Sequence, residues 1–332
     1  MRDTNLLGPW VRRFLLEHLV AERNLSINTQ KSYRDALALF LPFAGTRLKK
    51  PVDRLTVVDL SPDVLREFLA KIEGDRHCSV ATRNQRLSSI HSLARFIGLR
   101  SPEHVSWCSD VRSIPLKKTT RPLVGYMDKP EIDALLTQPC RTTRQGARDY
   151  ALLLFMYNSG ARANEAAGLT IDCLQMGTSP SVRILGKGNK LRLCPLWPVT
   201  VTALKPLLES RGANDRVFRG RTGEPMTRFG IHRIVTTYAT MAGEKLPSLK
   251  NKQVSPHTIR HTTAVHLLRA GVDINTIRAW LGHVSLDTTH IYAEVDLEMK
   301  AKALASVNIE SLPKPAKTGK PTASVLNFLS SL

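Results

Sequence analysis

Tyr292 follows His283 by nine positions inside the run WLGHVSLDTTHIYAEV. Val272, Ile277, Trp280 and Leu281 recur at helical spacing, and Gly282 supplies the left-handed residue that ends a helix, so His283 is expected just past a helix end. Ser285 is placed to cap a short helix whose next turns carry Thr288, His290 and Tyr292. A phenol on such a helix beside a histidine is a candidate nucleophile toward phosphorus. A tyrosine on an apolar helical face is more often core, so the pair needs company.

That company is basic. In SPHTIRHTTAVHLL, Ser255 caps a helix, Pro256 takes its first position, and His257 and Arg260 stand three apart on one face near the positive helix end. Together they offer a phosphate site with a proton-transfer group; the alternative is a surface helix with fortuitous charges. MYNSGARANEAAGL sets Arg162 at the start of a helix, where its guanidinium can fork onto two phosphate oxygens or pair with Glu165 three residues on. Lys187 stands on the turn of GKGNKLR, either as a solvated turn lysine or as a donor that enters a DNA groove. GKGNK lacks the spacing of a nucleotide-binding loop. His261 and His266 come without HExxH or a cysteine pattern, so neither a cofactor nor a metal is expected.

Composition points the same way. The chain of 332 residues carries 48 Lys+Arg against 28 Asp+Glu, a net charge of +20. Such an excess predicts a polyanionic partner, nucleic acid before acidic membrane; a generically basic protein is the plain alternative. No run approaches the about 18 apolar residues of a membrane span. The start, MRDTNLLGPWVRRFLLEHL, lacks the apolar region and cleavage site of a signal peptide. Cys78, Cys108, Cys140, Cys173 and Cys194 are odd in number and scattered, which reads as reduced thiols in a cytoplasm.

The elements that must position these residues fall into two groups. Residues 6–100 read as helices: Leu6 to Leu19; a second after the break at Asn24 to Asn28, through Tyr33, Leu37, Phe40 and Leu41; a third from Ser61-Pro62-Asp63 carrying Val64, Leu65, Phe68, Leu69 and Ile72; and a fourth from Val80 to Ile97. The fourth turns Leu87, Ile90, Leu93 and Phe96 inward and offers Arg83, Asn84, Arg86 and Ser89 on its other face, suited to a DNA groove or simply solvated. Between Ser101 and Lys129 the periodicity fades among Pro102, Pro115, Pro122 and Pro130. Lys117, Lys118 and Arg121 make this stretch a basic linker fit to lie on phosphates.

Beyond it, Asp128 precedes a helix at Pro130-Glu131, and a buried helix runs through Tyr150 to Tyr157 and stops near Gly160. Val182 to Leu185 and Leu191 to Leu193 flank Gly188-Asn189 as a β-hairpin. Helices follow at Phe229 to Met241, Thr258 to Leu268, Asp273 to Leu281 and Leu286 to Val307, then the tether and apolar end PKPAKTGKPTASVLNFLSSL. The expected fold is mainly α with a small antiparallel β-sheet. Its expected domains are a helical one over 1–102, a linker over 103–127, a second domain over 128–307 and a tail over 308–332.

The blocks SGARANEAAGLT, ILGKGNKLRLCPL, MTRFGIHRIVTTYATMAG, SPHTIRHTTAVHLLRAGVDINTIRAWLGH and SLDTTHIYAEV stand in the order and at the spacing of one family. Over residues 128 to 305 the chain resembles the tyrosine recombinases of the phage-integrase and Xer type. The N-terminal region is similar to their core-binding domain by pattern alone. The resemblance implies a two-domain clamp on double-stranded DNA, built as a homo-oligomer of two to four protomers, with a second recombinase as a further partner and no membrane, ATP or metal.

The resemblance also implies roles. Arg162 and Arg260 would clamp the scissile phosphate, Lys187 protonate the leaving 5′-oxygen, and His257 assist proton transfer. His283 would hydrogen-bond the phosphate, Glu165 support the site, and Tyr292 attack to give a 3′-phosphotyrosine. Ala161, where the family often has a larger apolar residue, and Trp197 in LCPLWP depart from the pattern without touching this chemistry. A first helix so near the start leaves no room for a separate arm-binding domain, which suggests an Xer-like or transposon-borne layout. The competing expectations are a non-catalytic DNA-binding relative and a type IB topoisomerase.

Overall fold

Ser61 Oγ accepts the Val64 amide at 3.3 Å, so that helix begins where its capping residue predicts, and Ser79 Oγ accepts the Thr82 amide at 3.2 Å at the start of the next. The computed structural model describes residues 5–119, 125–186, 188 and 190–282. The chain divides into two compact units, Met1–Pro122 and Leu123–Leu332.

The first unit is helical. Helix α1 (Leu7–Arg13) passes into a π-helical stretch at Phe14–Glu22, followed by α2 (Ile27–Leu48), α3 (Pro62–Gly74), α4 (Val80–Gly98) and α5 (Val105–Arg112). Phe14, Phe40, Phe68 and Phe96 fill its centre; the Phe40 and Phe68 rings lie 4.9 Å apart and those of Phe14 and Phe96 5.5 Å apart. Spacings of this kind suit tilted aromatic pairs.

Two expectations are corrected here. The stretch from 103 onward, read as linker, begins with α5, which buries Trp107, Cys108 and Val111 in the same core as α2–α4. Trp107 Nε1 donates to the Leu60 carbonyl at 3.0 Å. Pro102 opens a turn here instead of breaking one, since a first-turn proline loses no helical hydrogen bond.

Arg83, expected on a groove-facing surface, is only 6% exposed. It shares the stripe of Leu87, Ile90, Ala94 and Ile97, at helical i, i+4, i+7 spacing, and its Nη1 donates to the Pro115 carbonyl (3.1 Å) and to Asn84 Oδ1 (3.0 Å). Asn84 in turn donates to the Lys117 carbonyl at 2.8 Å and accepts the Lys117 amide at 3.1 Å. Arg83 and Asn84 therefore fasten residues 115–117 onto α4. Ser89, expected on that same face, is buried as well. Arg86 donates to Cys78 Sγ at 2.8 Å, Lys117 pairs with Glu73 at 2.8 Å, and Lys118 is exposed. Arg121 lies outside the described residues.

The second unit contains α6 (Lys129–Leu136), α7 (Arg144–Ser159) and α8 (Ala163–Gly168), then strands β1 (Leu174–Gln175), β2 (Ser181–Leu185) and β3 (Leu191–Pro195), then α9 (Pro198–Leu204), α10 (Arg228–Lys245), α11 (Pro256–Arg269) and α12 (Ile274–Leu281). The strands form one antiparallel sheet in the order β1-β2-β3, with Val182 opposite Cys194 and Leu185 opposite Leu191. The chain is thus mainly helical with a small antiparallel sheet, as the sequence predicts. Helix α7 is the buried centre, with Ala151 through Met156 all inaccessible or nearly so. No helix among the described residues is long and apolar enough to cross a membrane. The helix expected at Leu286 to Val307 and the tail 308–332 lie outside the described residues.

Candidate active site

Helix α7 ends on Gly160, whose φ of +60° is the left-handed conformation that a residue with a Cβ enters at a cost. A Cβ there would also stand 2.4 Å from Leu281 Cδ2, so the glycine lets the end of α7 meet the end of α12. Arg260 secures that meeting. Its Nη1 donates to the Gly160 carbonyl at 2.7 Å and its Nη2 to the Leu281 carbonyl at 2.6 Å, and the residue is 2% exposed.

Two residues beyond Gly160, Arg162 caps the start of α8. Its amide donates to Glu165 Oε2 at 2.9 Å and its Nη1 to Oε1 at 2.7 Å. The pairing with Glu165 is therefore real, and it leaves the Arg162 side chain partly exposed. Glu165 is itself buried. Burial alone would raise its pKa, but the hydrogen bonds and charges of Arg192 and Arg162 outweigh this and hold it below the ordinary carboxylate range.

His257 stands in the first turn of α11, which Ser255 and Thr258 cap reciprocally: the Thr258 amide donates to Ser255 Oγ at 3.3 Å and the Ser255 amide to Thr258 Oγ1 at 3.1 Å. The His257 side chain reaches solvent, yet the protein around it lowers its pKa, first by desolvation, then through Arg260 and Arg162, with Glu165 pulling the other way. One turn on, the His261 ring lies 6.4 Å from that of His257, and burial, His257 and Arg260 push its pKa down to about 4. Both imidazoles are thus neutral near pH 7, and His257 is a candidate proton acceptor.

His257 stands within electrostatic reach of both Arg260 and Arg162. Arg192 on β3 was missed. It is 7% exposed and donates through Nη2 to Glu165 Oε2 at 2.6 Å. Its neighbours Leu191 and Leu193 are 65% and 61% exposed, so β3 turns its leucines outward and its arginine inward. The alternation was visible in the sequence, but the rule that apolar residues face the core assigns it the wrong way round. Lys187, His283 and Tyr292 lie outside the described residues.

Two other tyrosines compete for the nucleophile's role. Tyr238 OH donates to Asp149 Oδ2 at 3.0 Å, and burial together with Asp149 pushes its pKa up to about 12. Tyr157 OH lies 2.7 Å from His266 Nδ1 and is likewise pushed up to about 12, by burial first. Both hydroxyls are engaged, that of Tyr238 with Asp149 and that of Tyr157 with His266.

Comparison with known proteins identifies the family. Residues 125–299 match the phage integrase family and residues 12–100 match the N-terminal SAM-like domain of phage integrases. The chain is 38% identical over 330 residues to y4rC of Sinorhizobium fredii, provisionally named an integrase/recombinase, covering 98% of each. It is 32% identical over 314 residues to the tyrosine recombinase XerC of Pelobacter propionicus, covering 94% of this chain and 97% of that one. Among solved structures, it shares the fold of the XerH site-specific recombinase bound to palindromic difH substrate after cleavage, with a TM-score of 0.65 at 24% identity over 86% of this chain and 81% of that one. The chain belongs to the phage integrase family and is a tyrosine recombinase, an enzyme of site-specific DNA recombination.

Proposed function

We propose that this recombinase cuts and rejoins duplex DNA through a 3′-phosphotyrosine on Tyr292, with Arg162 and Arg260 on the scissile phosphate. The observation that carries the reading is the preset pair of guanidiniums: Arg260 held by the carbonyls of Gly160 and Leu281, Arg162 held by Glu165, and the neutral His257 beside them. Charges held in place before the substrate arrives stabilise the doubly charged phosphorane-like transition state without reorganising during the reaction.

Tyr292 Oη forms the new P–O bond while the bond from phosphorus to the 5′-oxygen breaks. The phenolic proton passes to His257, and Lys187 supplies a proton to the leaving oxygen, with His283 hydrogen-bonded to the phosphate. The phosphodiester energy is kept in the adduct, so a free 5′-hydroxyl of another strand reverses the step without ATP.

The helical unit, extended by α5 beyond residue 102, and the catalytic unit over 128–307 both bind the duplex. The intervening basic stretch with Lys118 and Arg121 follows the phosphates, and Arg86 and Lys117 add charge near it. Protomers assemble on the DNA as a homo-oligomer, with the tail 308–332 as a tether between them, in the cytoplasm where the DNA is. Mapping the ends of the covalent adduct on genomic DNA identifies the site. A duplex of that site nicked beside the cleavage position should then trap a protein–DNA adduct, and two labelled duplexes should exchange strands. Binding without an adduct would point to a non-catalytic relative, and an adduct without strand exchange to a topoisomerase.

A further inference from the structure

Glu165 is gripped by two guanidiniums, and the second is costly to keep. Oε1 accepts from Arg162 Nη1 at 2.7 Å, while Oε2 accepts from Arg192 Nη2 at 2.6 Å. The Nε and Nη1 of Arg192 are buried and have no hydrogen-bond partner among the described residues. Buried donors left unpaired destabilise a fold, and exchanging a buried ion pair for apolar groups is often neutral or stabilising. Stability alone therefore does not favour an arginine at this position. Residues that break a local rule in this way concentrate at functional sites.

The surroundings of Arg192 supply the function. A Cβ built on Gly186 would lie 3.3 Å from Arg192 Nη1 and 3.4 Å from Glu165 Oε1. One built on Gly282 would lie 3.2 Å from Arg192 Cδ and 3.4 Å from its Nη1. The residues immediately before Lys187 and before His283 thus close on this one side chain, whose far end holds the carboxylate that fixes Arg162.

We infer that Arg192 is a positioning residue for strand transfer, which pins Glu165 and through it sets the direction of the Arg162 guanidinium, without itself touching DNA. This rests on the reading of Arg162 as a phosphate donor. Arg162 holds Glu165 through its own amide on Oε2 at 2.9 Å and its Nη1 on Oε1 at 2.7 Å, so without Arg192 the carboxylate is tied only to the residue it has to orient. Arg192 ties Oε2 to β3 as well, so the carboxylate and the Arg162 guanidinium on Oε1 are fixed against a separate element.

The test is a double-mutant cycle on the full chain, reading single-turnover cleavage of the nicked duplex at saturating protein alongside duplex affinity. Arg192→Gln should slow cleavage by about 10- to 100-fold, as misplacement of a catalytic group does, while affinity stays close to that of the unsubstituted chain. Glu165→Gln should also slow it, and the double variant should be no slower than the slower single one. Losses that multiply, or a loss confined to affinity, would overturn the inference. Should Arg192→Gln fail to fold by thermal unfolding, Arg192→Lys, which keeps the charge but not the fork, carries the same cycle with the same two outcomes. If the unsubstituted chain cleaves nothing, the strand-transfer reading falls and this one with it; if it cleaves and Arg192 behaves independently of Glu165, only this inference falls.

Discussion

Arg260 donates to the carbonyl of Gly160 at 2.7 Å, across one hundred residues of chain. The bond makes a helix end, which would otherwise expose unpaired carbonyls, into the floor of the candidate site. It also explains why the site needs arginine. One planar guanidinium reaches the Gly160 and Leu281 carbonyls together, where an ammonium would reach one at a time.

Arg260→Lys should therefore reduce single-turnover cleavage by about 100- to 1,000-fold, the usual loss for one transition-state donor. Lysine activity within about tenfold of the parent would show that point charge suffices and that the fork is dispensable.

Gly160→Ala meets both a left-handed backbone and a close approach to Leu281. It should cost about 2 kcal/mol or more in unfolding free energy, measured by denaturant titration. Adding Leu281→Ala should cost less than the two separate losses together, because it removes the contact. A fully stable Gly160→Ala protein would mean that the ends of α7 and α12 need not meet closely.

The pH dependence follows from two lowered histidines. His257 stays neutral below its ordinary value of 6.5, so the cleavage rate should hold through pH 6.5 and fall only at more acid pH. Stability follows by linkage. Between the unfolded value of 6.5 and the folded value of about 4 for His261, the unfolded chain binds the extra proton, so stability declines as pH falls through that window. His261→Gln should flatten the decline in thermal midpoint. A midpoint that rises on acidification from 6.5 would contradict the assignment.

Lys187→Ala should cleave poorly on an ordinary duplex and recover when the bridging 5′-oxygen is replaced by sulfur, which leaves without a proton. Equal defects on both substrates would remove Lys187 from the proton-donating role.

Much of this arrangement was legible in local chemistry. Ser61 and Ser255 mark helix starts because a hydroxyl before a helix satisfies amides that nothing else can. Gly160 and Gly282 mark the helix ends for the converse reason, with φ of +60° and +65°. The spacing of His257 and Arg260, and of Arg162 and Glu165, placed each pair within one turn. Long-range partners were not legible. Nothing near Arg83 announces the Pro115 carbonyl that draws it inward, and nothing near Arg192 announces Glu165, twenty-seven residues earlier. On β3 Leu191 and Leu193 face outward while Arg192 and Cys194 face inward, so binary patterning by the leucines does not find the buried arginine. Helix α5 has only eight residues between two prolines, too short a window for its period to emerge.

Tyr292 as nucleophile is the claim on which the rest depends. The most direct measurement is covalent adduct formation by Tyr292→Phe on the nicked duplex, with peptide mapping of any adduct that forms. The Phe variant should bind the duplex as the parent does and yield no adduct, because only the hydroxyl attacks and the Tyr157 and Tyr238 hydroxyls are engaged with His266 and Asp149. An adduct of undiminished yield on Tyr292→Phe, mapped to Tyr238 or to a serine, would contradict the account.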